Sequence, residues 1–399
     1  MIYMTTHALA HDRKPGKRAG QHAPLRPFRK LALAAFVAFS AGGPLVFSGS
    51  FRSEAREAHD STQIYSKRGI AAYNAGNDSI AIADFSSMIR LDSGSTFAYL
   101  YRGLSHYSKK DYRAAILDYS EALRLDPYYA LALRDRGSAY YAEGIYDSAI
   151  ADFTREMLFD PGSPEPYNNR GLAYCSKGDA DGAIIDFIEA IGLNRYHANK
   201  YALAESYNNI ANAYLKRGQN GDTASAISNF SQAIGLRPGN SDFYFNRGNA
   251  YLGKGQYSGA INDFKKAMDV NPLRYTNWSV LAQLGYAYLQ RGLEGDYRSA
   301  IGYYNQVIGL RPEDGDAYYN RGVARFNNKD YLNAIKDFKR SLELLPSSGG
   351  DVYFNLAIAY HHLALAHPHS GDSTLANQYK DTAARHGIDT TGLFSAAKR

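Results

Sequence analysis

"YNRGVARFNNKDYLNAIKDFKRSLELLP" (residues 319–346) carries apolar residues at helical spacing on both sides of a polar "NNKD", and Pro346 closes it. The spacing predicts two short helices joined by a turn and packed on a core, with the proline stopping the second. Two charges look misplaced in that scheme. Arg321 directly precedes Gly322 and Asp337 directly precedes Phe338, sixteen residues apart and each beside a position expected to be buried.

The stretch recurs along the chain. Its glycine aligns with Gly69, Gly103, Gly137, Gly171, Gly248 and Gly285, and Ala211 and Ala357 fill two further places. The steps between them are 34, 34, 34, 40, 37, 37, 37 and 35 residues. Alanine follows in most copies (Ala81, Ala115, Ala149, Ala183, Ala334), then an aromatic (Phe85, Tyr119, Phe153, Phe187, Phe230, Phe264, Tyr304, Phe338). Proline ends six copies, at Pro127, Pro161, Pro238, Pro272, Pro312 and Pro346. The small residues let two helix backbones approach, and the aromatic is expected to fill the space towards the next hairpin.

A period of 34 with Gly, Tyr, Ala, Phe and Pro in this order resembles the tetratricopeptide repeat. The likeness covers nine copies over about residues 61 to 385. It departs from the family pattern at the opening aromatic-to-leucine position, where most copies carry Tyr or Leu and then Arg. The resemblance implies an all-α fold, a right-handed superhelical solenoid of helix-turn-helix hairpins with a concave groove. Residues 1–60 are then a basic leader and linker, and residues 386–399 a tail. The inserts in "RGQNGDTASAI" (217–227) and "RGLEGDYRSAI" (291–301) fall at the turn inside a hairpin. "HANKYALAESYNNIANAYLKRG" (197–218) reads as a first helix lengthened at its start, and "LRYTNW" after Pro272 as a weaker case of the same. The last copy has a stretched turn, and Lys380 stands in place of the aromatic.

The charges also come as a set: Arg68 with Asp84, Arg102 with Asp118, Arg136 with Asp152, Arg170 with Asp186, Arg247 with Asp263, Arg321 with Asp337. Where the arginine is missing so is the aspartate, since Ile210 accompanies Asn229, Leu284 accompanies Tyr303 and Leu356 accompanies Tyr379. Correlated replacement inside one chain predicts contact. The expectation is a partly buried bidentate ion pair clamping each hairpin. A row of carboxylates for acid-base or metal chemistry would need aspartates without partners.

Composition sets the function classes. Charged residues at 21% and apolar ones at 45% fit an ordered chain, and 34 tyrosines against one tryptophan fit a tyrosine-bearing unit copied many times. The single cysteine, Cys175, excludes a disulfide framework. Of the net charge of +6, residues 1–60 hold nine Lys/Arg against four Asp/Glu, so the remainder is nearly neutral and no nucleic-acid partner is expected. Phosphate loops, nucleophile elbows and zinc-helix motifs are missing. The histidines of "HHLALAHPHSGD" (361–372) read as a polar elongated turn rather than a metal set. No catalytic residue, cofactor, metal or small-molecule substrate is expected.

At the N-terminus, Arg13, Lys14, Lys17, Arg18, Arg26, Arg29 and Lys30 precede the apolar "LALAAFVAFSAGGPLVF" (31–47). That layout is a secretory address, cleaved after Ser40 or kept as a membrane anchor through residues 31–47. The protein is then exported and periplasmic or inner-membrane-anchored; a chance apolar run on a cytoplasmic chain is the remaining reading.

What remains for function is the groove, which in this family is lined by the first helix of each hairpin. Residues expected there include Asn168, Asn208, Asn212, Lys216, Phe245, Asn249, Tyr319 and Phe326. Asparagine amides bond an extended backbone in both directions and the rings hold side chains, so the expectation is a non-catalytic scaffold or adaptor for a protein or peptide partner. The alternative is a structural part of a cell-envelope complex that assembles through its outer face or ends.

Overall fold

The computed structural model describes residues 49–196, 199–346, 349–368, 371–391, 393 and 394, with side chains from residue 60 onward. The N-terminal address therefore lies outside the described residues. Nineteen helices and no strand occur among them, in two compact units that meet in sequence between Leu193 and Asn194.

The first unit pairs α1 (Gly49–Asn74) with α2 (Asp78–Leu91), α3 (Thr96–Ser108) with α4 (Tyr112–Leu125), α5 (Ala130–Ala142) with α6 (Tyr146–Glu156), and α7 (Pro164–Lys177) with α8 (Ala180–Tyr196), whose last turn enters the second unit. The second unit pairs α9 (Lys200–Arg217) with α10 (Asp222–Leu236) and α11 (Ser241–Gly253) with α12 (Tyr257–Val270). It continues through the four-residue α13 (Pro272–Tyr275) to α14 (Trp278–Arg291) with α15 (Asp296–Leu310). α16 (Gly315–Asn327) with α17 (Tyr331–Leu344) and α18 (Gly349–Ala366) with α19 (Asp372–Arg385) complete it. Each unit is thus a stack of antiparallel hairpins, all-α and built as a solenoid is built, each hairpin packed on its neighbours in sequence.

Local chemistry sets the ends. The side chains of Ser95, Asp111, Asn199, Asp314 and Asp330 accept the backbone N–H of Ala98, Ala114, Ala202, Ala317 and Asn333 at helix starts. Two boundaries differ from expectation. α1 begins at Gly49, because "GSFRSEAREAHD" holds no proline and is rich in helix formers. "LRYTNW" does not lengthen the following helix: it forms the separate turn α13, whose Tyr275 hydroxyl donates to Asp242 at 2.5 Å, and Asn277 then caps α14.

The core of seven hairpins is one aromatic ring on one glycine. A Cβ on Gly103 would lie 2.6 Å from the Tyr119 ring, and one on Gly322 2.7 Å from Phe338. The ring therefore seats first on its own hairpin, not only towards the next one as expected. It does both: Phe85 lies under Gly69 and also meets Phe97 and Tyr101 of the following hairpin. Ala81, Ala115, Ala149, Ala183 and Ala334 are wholly buried between the helices.

Each of the six arginines grips its aspartate with both arms of the guanidinium. Arg136 donates from Nε and Nη2 to Asp152 at 2.8 Å each, and Arg247 to Asp263 at 2.7 and 2.8 Å. Arg68 and Asp84, Arg102 and Asp118, Arg170 and Asp186, and Arg321 and Asp337 repeat the fork. The remaining arm reaches the hairpin before: Arg102 to Ser86, Arg136 to Ser120, Arg170 to Thr154, Arg247 to Ser231, Arg321 to Asn305. Arg68 has no such partner among the described residues, and its side chain is 60% exposed.

In the second unit, hairpins of two kinds alternate. Those without the clamp at α9–α10 and α14–α15 hold their turn instead. Arg217 forks onto Asp222 and Arg291 onto Asp296, while the backbone N–H of Gln219 and Leu293 donates to the same carboxylates. Each loop leaves its first helix and enters its second through glycines at positive φ, Gly218 and Gly221 in one, Gly292 and Gly295 in the other. The guanidinium beside each carboxyl holds Asp222 and Asp296 below the usual carboxylate range. Where Leu284 replaces the clamp arginine, Tyr303 stacks on Tyr288, and Lys265 of the preceding hairpin sits over the Tyr288 ring at 5.4 Å. Leu356 has the same company in Tyr379, Tyr360 and Lys339.

Candidate functional site

First helices of neighbouring hairpins touch. Asn246 on α11 donates to Asn208 on α9 at 2.9 Å, Asn355 on α18 to the Tyr319 hydroxyl on α16 at 2.9 Å, and Tyr141 on α5 bonds Ser176 on α7 at 2.8 Å. Side chains of successive first helices thus meet at α5–α7, α9–α11 and α16–α18, which marks one row of first-helix positions in each unit.

The expected groove residues fall into different situations on that row. Asn168 bonds back to the carbonyl of Pro164 in its own helix, and Asn208 is engaged by Asn246. Asn212 and Asn249 are half-buried and make no hydrogen bond to any described residue. Lys216 is exposed at the end of α9. Phe245 is packed rather than open, its ring 5.8 Å from Phe264 and 5.1 Å from Tyr275. Tyr319 packs on Phe338 and accepts from Asn355; burial raises its hydroxyl pKa. Phe326 lies against Tyr331 and His362. The row therefore brings together two unengaged amides, one per hairpin, on α9 and α11.

Chemistry elsewhere is limited. Cys175 is buried. His361 stacks on Phe394 at 4.2 Å, and His362 on Tyr331 at 5.2 Å. Among the described residues no cluster of His, Cys, Asp and Glu has the arrangement to hold a metal, and no helix is long and apolar enough to cross a membrane. The described tail returns on the last hairpin, where Lys380 of α19 donates to the Leu393 carbonyl and His361 of α18 meets Phe394.

Another charged group lay outside the sequence reading. Glu156 is 8% exposed at the place in α6 where other second helices carry Ala122, Ala233 or Ala267, and its Oε2 makes no hydrogen bond. Burial pushes its carboxyl up to about 8; Arg134 opposes this, and Glu165 and Asp135 add to it. Arg134 itself donates to Asp135 at 3.2 Å and faces Glu165 at 3.7 Å. The signal was available as a break in an alanine column.

Tetratricopeptide-repeat profiles match residues 103–144, 164–197, 204–240, 241–272 and 283–349. The chain belongs to the tetratricopeptide-repeat family. Among curated proteins it is 33% identical over 114 residues to serine/threonine-protein phosphatase 5 of Mus musculus, covering 29% of this chain and 21% of the phosphatase. Over 51 residues it is 41% identical to the heat shock protein sti1 homolog of Schizosaccharomyces pombe, covering 13% of this chain and 9% of that protein. The chain thus spans about a fifth or less of these relatives. Among solved structures, MamA is 28% identical at a TM-score of 0.38, covering 44% of this chain and 96% of MamA. The C-terminal part of a TPR repeat-containing protein from Cytophaga hutchinsonii is 20% identical at 0.49, covering 65% and 97%. Stacked repeats of this family present extended binding surfaces, so the repeat array is a protein-binding scaffold.

Proposed function

We propose that this tetratricopeptide-repeat chain is a non-catalytic adaptor that holds an extended segment of a protein partner along its row of first helices. The observation that carries this reading is the pair Asn212 and Asn249, amides without partners on adjacent first helices. An amide with a free donor and a free acceptor bonds a peptide main chain both ways. Extended peptides selected against the full chain should lose about tenfold in affinity, or more, when Asn212 and Asn249 are both alanine, with thermal unfolding unchanged. Undiminished binding by that variant removes the groove reading.

A second reading, assembly through another surface, is favoured by Tyr128, Leu158 and Phe159. They are 73%, 76% and 38% exposed, and the two rings meet at 5.8 Å. In both readings we place the protein outside the cytoplasm, on the basic and apolar order of residues 13–47. A reporter active only after export, fused behind residues 1–60, should work and should fail without 31–47.

A further inference from the structure

In the second unit, the row of first-helix residues has a hole. Three places before the small residue, the other copies of this unit carry Asn208, Phe245, Tyr319 and Phe354, but α14 carries Ala282. The missing side chain leaves an open cavity of about 260 Å³ between α14, α15 and α16, with Leu252 of α11 also on its wall. Its apolar wall is Leu252, Ala282, Val307 and Ala317. Trp278 and Tyr286, 43% and 41% exposed, also line it.

Two buried polar atoms of the cavity are unsatisfied, and Asn320 adds an amide to its lining. Oε1 of Gln283 and the hydroxyl of Tyr304 are buried and make no hydrogen bond. Tyr304 is 1% exposed, and burial raises its pKa, so the hydroxyl stays neutral. Asp314 and Asp316 add two carboxylates. Asp314 caps Ala317 and faces Arg311 at 3.6 Å, whereas Asp316 is exposed and unpaired. Arg311 lies 4.1 Å over the Trp278 ring, so this indole already accepts a guanidinium on one face. Two carboxylates against one guanidinium leave the rim net negative.

An apolar shaft with acceptors, aromatic faces and a negative rim suits a side chain with a hydrocarbon stem and a cationic head. We propose that this cavity is the pocket for one basic side chain, lysine or arginine, of the bound peptide. The assignment rests on the adaptor reading above. The stem lies along Ala282 and Val307, the head turns back to Asp316 at the rim, and the main chain passes the mouth along the first helices.

Trp278 is the only tryptophan of the chain, so its emission reports this cavity alone. The probe is a set of capped heptapeptides, Ala-Ala-Ala-X-Ala-Ala-Ala, with X lysine, arginine, norleucine or glutamate, titrated into the full chain. Lysine or arginine should shift Trp278 emission saturably, at least about tenfold more tightly than norleucine. Asp316→Asn should weaken that binding and flatten its dependence on salt. Ala282→Phe, which places here the residue found at Phe245 and Phe354, should abolish the shift while leaving the unfolding curve in place. Equal binding of the norleucine peptide overturns the pocket but leaves the groove reading intact. No shift with any peptide overturns the pocket too, and the Asn212 and Asn249 variant then decides the adaptor reading separately.

Discussion

Arg247 donates from Nη1 to the hydroxyl of Ser231 at 2.9 Å while its other nitrogens grip Asp263, so one side chain ties two helices of its own hairpin to the hairpin before. Removing such an arginine strands a carboxylate that is 5% exposed.

Arg247→Leu should therefore destabilise the second unit by about 3 kcal/mol. Arg321→Leu should cost roughly 1 kcal/mol less, because Arg325 still donates to Asp337 at 2.8 Å. Denaturant unfolding of both variants measures the difference. Equal losses show that Arg325 does not share the carboxylate.

The two kinds of hairpin should be interchangeable only as whole sets. Leu284→Arg alone sets a guanidinium near Lys265 and should cost about 2 kcal/mol. Adding Tyr303→Asp and Lys265→Ser rebuilds the clamp with its hydroxyl and should return stability to within about 1 kcal/mol. A triple variant no better than the single one would show that the sets depend on more than these positions.

Gly103→Ala tests the ring seat. Alanine gains helix propensity of about 1 kcal/mol over glycine. Its Cβ, however, arrives 2.6 Å from the Tyr119 ring, which is wholly buried. Overpacking of about 1–3 kcal/mol should win, giving net loss. A stabilised variant would mean that the ring moves aside freely.

Glu156 predicts a pH dependence. Its folded pKa, about 8, stands above the ordinary carboxyl value, so its stabilising contribution is complete in acid and lost as pH rises through 8. Glu156→Gln removes that slope and should be more stable than the parent by about 2 kcal/mol or more near pH 9. Stability curves that stay parallel from about pH 5 to about pH 9 would place the carboxylate in contact with water.

The hairpins were legible because a packing column shows itself nine times over. The third arm of the clamp was present but unsought: Ser86, Ser120, Thr154 and Ser231 each stand two residues after an aspartate, or after Asn229. Asp222 and Asp296 hid because their partners, Arg217 and Arg291, stand five residues away across the inserted turn, where no column exists. Phe245 read as open because its cover, Tyr275, belongs to α13, a turn that other copies lack. The cavity arises from what Ala282 does not fill, and an alanine on a helix carries no signal of its own.

Alternation in the second unit constrains how the array can change in number. Ser231 meets Arg247, Lys265 meets the tyrosines behind Leu284, Asn305 meets Arg321, and Lys339 meets those behind Leu356. Excising the single hairpin α14–α15 would bring Lys265 up against Arg321, cation to cation. Excising it together with α16–α17 would bring Lys265 to Tyr360, a match already in use. Loss of one hairpin therefore mismatches this seam and loss of two preserves it, so the structural period of this half is the hairpin pair, a step of 74 residues from Ala211 to Gly285.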